Sequence, residues 1–417
     1  GEIETAEVKK DTQVRYLGGV KSPILTEVKK SDKVTVLEDE DDWMKVATAD
    51  GYVGYIKTKF LKNQKKEKIS RDFTEPVYSN MTEDHSINMA WHNVTNAAAN
   101  NAVQQVLAST SGLTTIAPTW FSLADTEGNI SSIADADYVN YAHTAGLEVW
   151  AVFRDFHGGT NSYDETYETL RYTSKRAKLE DQVVAAAVAA GVDGINLDFE
   201  LISSKCGVHY VQLVRELSVK CHQNNLVFSV DNYVPQSYNS HYDLKEQGIV
   251  ADYVVIMAYD EHTEGSYEAG SVASISYLQD GIEKTLKKVS ADKVIAGIPF
   301  FTRLWFETAK SSEQLSEEAG TEAASYPNKV SSKALGMEEA AQSVVNAGAT
   351  AQWDEKTQQN YAKWSADGGT YRIWLEDAQS LEAKLKVIQG NKLAGVAEWS
   401  LGREESSVWK LISQYVN

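Results

Sequence analysis

Three rhythms of apolar and polar residues divide the chain. From residue 1 to about 63 the apolar positions come in short alternating pieces, VRYL, DKVTVLED and DWMKVATADGYVGYIK. Alternation with a period of two gives a strand one face toward a core and one toward water. Asp50-Gly51, between two such runs, is a hairpin signal. The stretch predicts a small all-β barrel without helices. The charged run KNQKKEKISRDFTEP follows and ends in Pro, and residues 64–76 within it read as a linker.

From residue 77 short apolar runs alternate with helical stretches. The candidate strands are SINMAW (86–91), TTIAPTWF (114–121), LEVWAVF (147–153), DGINLDFE (193–200), LVFSVDNYVP (226–235), DYVVIMAYD (252–260), KVIAGIPFFTRLW (293–305) and LAGVAEWSLG (393–402). Eight strands, with room for a helix after most of them, predict a (β/α)8 barrel over residues 77–417. An open doubly wound sheet is the runner-up, but no GxGxxG stands at any strand-to-helix turn. About 88 residues separate the last two strands, more than one helix fills. A small α+β insertion at about 306–372, near the barrel mouth, is expected there.

One strand carries unusual polarity. In GVDGINLDFE, Gly191 to Glu200, alternation puts Asn196, Asp198 and Glu200 on one face and Ile195, Leu197 and Phe199 on the other. A half-solvated strand reads the same way. However, DQVVAAAVAAG before it and VHYVQLVRELSVKCHQ after it read as helices. Strands between helices are covered on both faces, and covered acids are costly unless paired or used.

Composition narrows the setting. The formal net charge of −19 argues against nucleic acid and anionic membrane as main partners. No apolar run approaches the roughly 18 residues of a membrane span. A first residue of Gly rather than Met reads as a mature or trimmed chain. The two cysteines, Cys206 and Cys221, lie fifteen residues apart in or beside one predicted helix, too far for a disulfide, and are expected as free, buried thiols.

The C-terminal strand ends are where such barrels do chemistry. In chain order they offer Trp91; Trp120 and Phe121; Phe153, Arg154 and Asp155; Asp198 and Glu200; Asp231, Asn232 and Tyr233; Met257, Tyr259 and Asp260; Arg303 and Trp305; Glu398 and Trp399. A single Trp at a strand end is more often core packing. Several around a set of carboxylates suit a carbohydrate cleft, in which aromatic faces stack on sugar rings and polar groups take the hydroxyls. Metal and nucleophile signatures (HExxH, GxSxG, P-loop, paired CxxC) are missing, and the eight His have no ligand spacing. A Mg²⁺ site from Asp193, Asp198 and Glu200 is disfavoured because the carboxylates crowd one strand. No cofactor is expected.

DGINLDFE resembles the DxxDxDxE signature of glycoside hydrolase family 18, the chitinase-like enzymes. MAYD (Met257 to Asp260) resembles that family's strand-six MxYD, and Trp399 falls where the family has a strand-eight Trp under the bound sugar. Asn196 departs from the pattern, standing where typical chitinases have Asp. The form DGINLDFE, with APTWF, YRIWLED and AGVAEWSLGRE, is similar to the branch of spore-cortex-lytic N-acetylglucosaminidases. Trp43 and DGYVGY (Asp50 to Tyr55) resemble the bacterial Src-homology-3-like domains of cell-wall enzymes.

The resemblance implies a retaining, substrate-assisted mechanism. Glu200 would be the general acid and base, Asp198 would hold the sugar's acetamido N–H, and Tyr259 its oxygen. Asp193, Asn196, Met257 and Asp260 would support them; Trp399, Trp91, Trp120, Tyr233, Trp305 and Asp155 would bind sugar. With Asn196 unable to titrate, charge cycling of Asp198 would lean on Asp193 alone or be absent. The expected partner is peptidoglycan or chito-oligosaccharide, and the expected location is secreted or wall-associated in a Gram-positive-like bacterium, or on a spore. A chitinase and a non-catalytic lectin are the alternatives; lectin-like relatives usually lose the catalytic Glu, which is present here as Glu200.

Overall fold

The computed structural model describes residues 1–70 and 78–416. The chain divides into two compact units, residues 1–77 and 78–417.

The first unit is a seven-stranded antiparallel sheet. Trp43–Ala47 and Val53–Lys57 form the hairpin expected around Asp50-Gly51. The inward faces of its strands supply Val8, Val14, Val46 and Ile56, all fully buried. The expected linker begins too early. Leu61–Lys68 is a strand paired with Glu2–Val8. Its lysines face glutamates across the pair, Lys62 on Glu7 at 2.9 Å and Lys66 on Glu2 at 3.9 Å. A charged run therefore reads as a loop by composition but forms an edge strand by cross-strand pairing. Residues 71–76 of the expected linker lie outside the described residues.

The second unit closes eight parallel strands into a barrel: β1 (Ile87–His92), β2 (Thr115–Pro118), β3 (Glu148–Arg154), β4 (Gly194–Asp198), β5 (Val227–Tyr233), β6 (Tyr253–Met257), β7 (Val294–Pro299) and β8 (Gly395–Trp399). β1 pairs with both β8 and β2, and β2 with β3, which completes the ring. Each strand has two buried faces. Ile195 and Leu197 of β4 pack outward among helix residues, and Trp150, Val152, Tyr253 and Val255 belong to the inner cluster. Gly194 makes that filling possible, because a Cβ there would lie 2.8 Å from the Trp150 ring.

The helix before β4 runs Thr173–Ala190 and buries Leu179, Val183 and Ala187 at four-residue spacing. It stops at Gly191, whose φ of +78° ends the helix while its N–H bonds the Ala187 carbonyl. The helix after β4, Gly207–Gln223, buries Tyr210, Leu213, Val214 and Leu217. Cys206 and Cys221 are free and buried.

The seventh expected strand is two elements. β7 ends at Pro299, and Phe301–Ala309 pairs antiparallel with Asn328–Gly336 and Gly369–Leu375 in a separate five-stranded sheet. The insertion thus spans about 301–375 rather than 306–372. IPFF (298–301) is apolar without a break across the exit, so periodicity gives no sign of where the chain leaves the barrel.

A buried polar chain anchors the insertion. Gln359 Nε2 donates to Glu376 Oε1 at 2.7 Å, and Lys384 Nζ donates to the two Glu376 oxygens at 2.9 and 3.1 Å. Ser271, in the loop beyond β6, donates to Gln359 Oε1. The Lys384 and Glu376 side chains are 1% and 0% exposed. Removing one partner strands the other charge in a dry site. Lys384→Met is expected to destabilise the barrel by about 3–5 kcal/mol, and Glu376→Gln together with Lys384→Met by less. Urea unfolding of the full chain checks this; an unchanged midpoint for the single variant would refute it.

Candidate active site

The C-terminal ends of the barrel strands surround a cavity of about 210 Å³. Its lining includes Trp91 from β1, Arg154 from β3, Asp198 from β4, Asp231 and Tyr233 from β5, Met257 from β6 and Trp399 from β8. Glu200, two residues beyond β4, and Tyr259 and Asp260, just beyond β6, complete the set.

β4 carries the hub. Asn196 is fully buried and uses its whole amide. Nδ2 donates to Ser229 Oγ and to Asp231 Oδ1, both at 2.8 Å, and Oδ1 accepts from Trp91 Nε1 at 3.1 Å. Parallel register aligns Asn196 with Ser229, so Asp198 and Asp231 follow two residues on in the same inward direction. Asp198 Oδ1 and Asp231 Oδ2 are buried and accept no hydrogen bond among the described residues.

Burial dominates the electrostatics. The Asp198 carboxyl is pushed well above the usual range by burial first, then by the charges of Glu200, Asp231 and Asp155. Burial lifts Asp231 to about 8, against the Asn196 hydrogen bond. Burial also raises Glu200, with the Asp260 charge adding and a hydrogen bond from Tyr233 opposing. Tyr233 OH donates to Glu200 Oε2. Burial holds the Tyr259 hydroxyl well above its ordinary range and raises the Asp260 carboxyl.

The aromatic wall is formed by Trp91 and Trp399, with ring centroids 6.1 Å apart, and by Tyr259, edge-on to Trp91 at 6.4 Å. The peptide bond between Trp399 and Ser400 is cis.

Four expected site residues lie elsewhere or act otherwise. Trp120 is buried against Tyr138, with Nε1 donating to Asn100 Oδ1 at 2.7 Å. It follows β2 on the outer side and packs in the helix-facing core. Trp305 belongs to the insertion sheet, fully buried, with Nε1 on the Gly270 carbonyl at 2.9 Å. Asp155 does not reach the cavity. It is fully buried beneath the loop after β4, where Oδ1 accepts from the Glu200 N–H at 2.8 Å and Oδ2 from the Leu201 N–H at 3.0 Å. It fixes the backbone that carries Glu200. Burial, opposed by those hydrogen bonds, pushes its carboxyl up to about 7.

Asp193 precedes β4 and sits at the opposite end of the barrel, accepting from Val149 N and paired with His143 Nε2, both at 2.8 Å. It is not a titrating partner for Asp198; Asp231 is the carboxyl beside it. The register of β4 with β5 decides this, and strand alternation within β4 alone cannot. Arg154 and Asp231 stand in plain view at their strand ends, but only inward parity separates them from neighbours that face the helices. Asn93, Thr119 and His157 also line the cavity; they come from loops, where no periodic signal marks them. Among the described residues, no group of three or more His, Cys, Asp or Glu side chains is arranged to hold a metal ion.

Comparison with known proteins agrees with this geometry. Residues 89–404 match the model of glycosyl hydrolases family 18, and residues 9–62 match that of the bacterial SH3 domain. An uncharacterized glycosylase, YvbX, of Bacillus subtilis is 26% identical over 295 residues, 68% of this chain and 80% of that protein. The cortical fragment-lytic enzyme of Bacillus subtilis is 27% identical over 256 residues, 59% of this chain and 54% of that protein, so the chain spans only about half of that relative. Among solved structures, the spore cortex-lytic enzyme SleL of Bacillus megaterium superposes with a TM-score of 0.65 at 19% identity, covering 81% of this chain and 76% of that one. At that identity the likeness concerns the fold. With the strand-end carboxylates and aromatics gathered in one cavity and most of the chain matched, the protein belongs to glycosyl hydrolases family 18 and carries a bacterial SH3 domain at its amino-terminal side.

Proposed function

We propose that this glycosidase cleaves the β-1,4 bond after N-acetylglucosamine in peptidoglycan, with retention of configuration and with help from the substrate's own acetamido group. One observation carries the reading. Asp198 Oδ1 is a buried acceptor without a donor among the described residues, in the same cavity as Glu200 and Tyr259. A substrate amide N–H is the donor that fits it.

In this reading Glu200, whose carboxyl is raised above the usual range by burial, gives its proton to the glycosidic oxygen. Asp198 takes the acetamido N–H and turns the acetamido oxygen toward the anomeric carbon, and Tyr259 OH steadies that oxygen. The glycosidic bond breaks as the oxazolinium ring forms. Glu200, now a carboxylate, takes a proton from the water that opens the ring. Glycoside hydrolases of family 18 are exceptions to the scheme of two catalytic carboxylates for this reason. Trp399 offers an apolar face to the sugar, with the buried Trp91 packed behind it. Support for a cell-wall substrate comes from the cortical fragment-lytic relative and from the bacterial SH3 domain. Such a substrate would place the enzyme outside the cell membrane, at the wall or the spore cortex.

Two experiments test the reading. Mass spectrometry of products from peptidoglycan fragments is expected to find new reducing ends at N-acetylglucosamine, absent when that sugar is de-N-acetylated. Glu200→Gln is expected to lose about two to four orders of magnitude in rate. Cleavage of N-acetyl-chito-oligosaccharides alone would replace this reading with a chitinase.

The second experiment is a pH–rate profile. The Asp231 charge adds to burial in holding the Asp198 carboxyl up. Asp231→Asn removes that repulsion, so Asp198 stays ionised to lower pH. The acid limb of kcat/KM is expected to move to lower pH. Asn196→Asp adds a carboxyl beside Asp231 and is expected to move it the other way. Two unmoved limbs would exclude control of the acid limb by the Asp198–Asp231 charge interaction.

A further inference from the structure

Arg154 ends β3 and faces the cavity, directly across the strand pair from Asp198. Among the described residues it is the only lysine or arginine that lines the cavity. Yet its guanidinium makes no hydrogen bond or close ion pair with any described residue, although the Asp198 carboxyl lies near enough to act on it by charge, and its Nε is buried without an acceptor. Its neighbour is the Phe156 ring, whose centroid lies 5.6 Å from Cζ. Two other buried or half-buried arginines, by contrast, have carboxylate partners. Arg176 holds Glu216 at 2.9 Å and the Leu170 carbonyl at 2.7 Å, and Arg372 holds Glu307 at 2.6 Å. A half-buried fork of donors without an internal partner is poised for an acceptor brought by the ligand.

The charge around it says which acceptor. Asp198, Glu200, Asp231 and Asp260 line the same cavity, and the chain carries a formal net charge of −19. An anionic glycan is repelled by that field and gains from one guanidinium placed to take a carboxylate in bidentate fashion. A neutral oligosaccharide would offer it only hydroxyl and amide oxygens, without the charge or the paired oxygens of a carboxylate.

We propose that Arg154 binds a carboxylate carried by the glycan, so that the cleft selects an N-acetylated saccharide with an acidic substituent on a sugar beside the scissile bond. The inference deepens, and rests on, the cell-wall reading. The carboxylate has two chemical sources there, the lactyl ether of a muramyl sugar and the peptide attached to it.

The test measures binding and turnover separately. The probes are a peptide-free tetrasaccharide of alternating N-acetylglucosamine and N-acetylmuramic acid, its lactyl methylamide, a stem-peptide-bearing tetrasaccharide, and the last with its peptide carboxylates amidated. Glu200→Gln serves as the binding background for calorimetry, and Arg154→Met and Arg154→Lys are built on it. Thermal melts confirm that each variant is folded. The acid is expected to bind about tenfold or more tighter than its amide. That ratio should fall to near one with Arg154→Met and be partly kept with Arg154→Lys. A preference confined to the peptide-bearing pair would assign the carboxylate to the peptide and sustain the inference. An acid-to-amide ratio unaffected by Arg154→Met would overturn it and leave Arg154 as a distant counter-charge for Asp198. If the unmodified enzyme cut none of the probes while the binding preference still followed Arg154, the cell-wall hydrolase reading would fail and the carboxylate site would stand.

Discussion

Asn196 is the pin on which the catalytic end of the barrel depends. Four polar groups from three strands, β4, the adjacent β5 and β1 across the barrel, meet there out of contact with water, and each needs a partner because an unmatched buried polar group is expensive. The carboxamide supplies two donors and an acceptor at one point. It gives a hydrogen bond to Ser229, another to Asp231, and receives one from Trp91. An ionised Asp at this position has no proton to donate, so it would leave Asp231 without a donor and set two carboxylates against each other. The departure from the common family pattern therefore follows from what β5 presents. Asn196 and Asp231 are one arrangement, and each makes sense only with the other.

From that pin the rest of the mouth is built by grip from both sides. Trp91, held through its indole N–H, is fixed against Trp399 and Tyr259. Asp155, immediately after β3, takes the backbone N–H groups of Glu200 and Leu201, so the loop after β4 has no freedom to drift. Tyr233, at the end of β5, reaches the Glu200 carboxylate itself. The backbone of Glu200 is set by one neighbouring strand and its side chain by the other. Precision of this kind, with side chains on strands locked by further hydrogen bonds, is what chemistry at a single bond requires.

Much of this is legible in the sequence, and the limits have physical reasons. Alternation alone puts Asn196 and Asp198 on one face of β4 and Ile195 and Leu197 on the other, and the flanking helices make that face covered. Strand count and spacing announce the barrel and the long insertion before β8. What alternation does not carry is the relation between strands. Trp120 and Trp305 stand at apparent strand ends, but one faces the helices and the other belongs to a different sheet. An aromatic residue suits a core and a sugar platform equally well, so composition cannot separate them. Asp155 and Asp193 are acids near strand termini, and their roles are settled by which backbone N–H groups lie within reach. The charged run ending in Lys68 reads as linker because its glutamate partners are some sixty residues away in sequence.

The charge balance of the cavity gives the last link between fold and chemistry. Asp198, Asp231, Glu200 and Asp260 share one small space with a single guanidinium that none of them engages closely. Four full negative charges at low dielectric would repel one another strongly. Burial eases this by raising each carboxyl, which favours the protonated forms. Protons at the mouth are then held by a coupled set rather than by one residue. Within that set Asn196 cannot titrate and Asp193 lies at the far end of the barrel. The carboxyl beside Asp198 is therefore Asp231, reached through the β4–β5 register. In the proposed reaction, proton exchange would run sideways between these two strands rather than along β4.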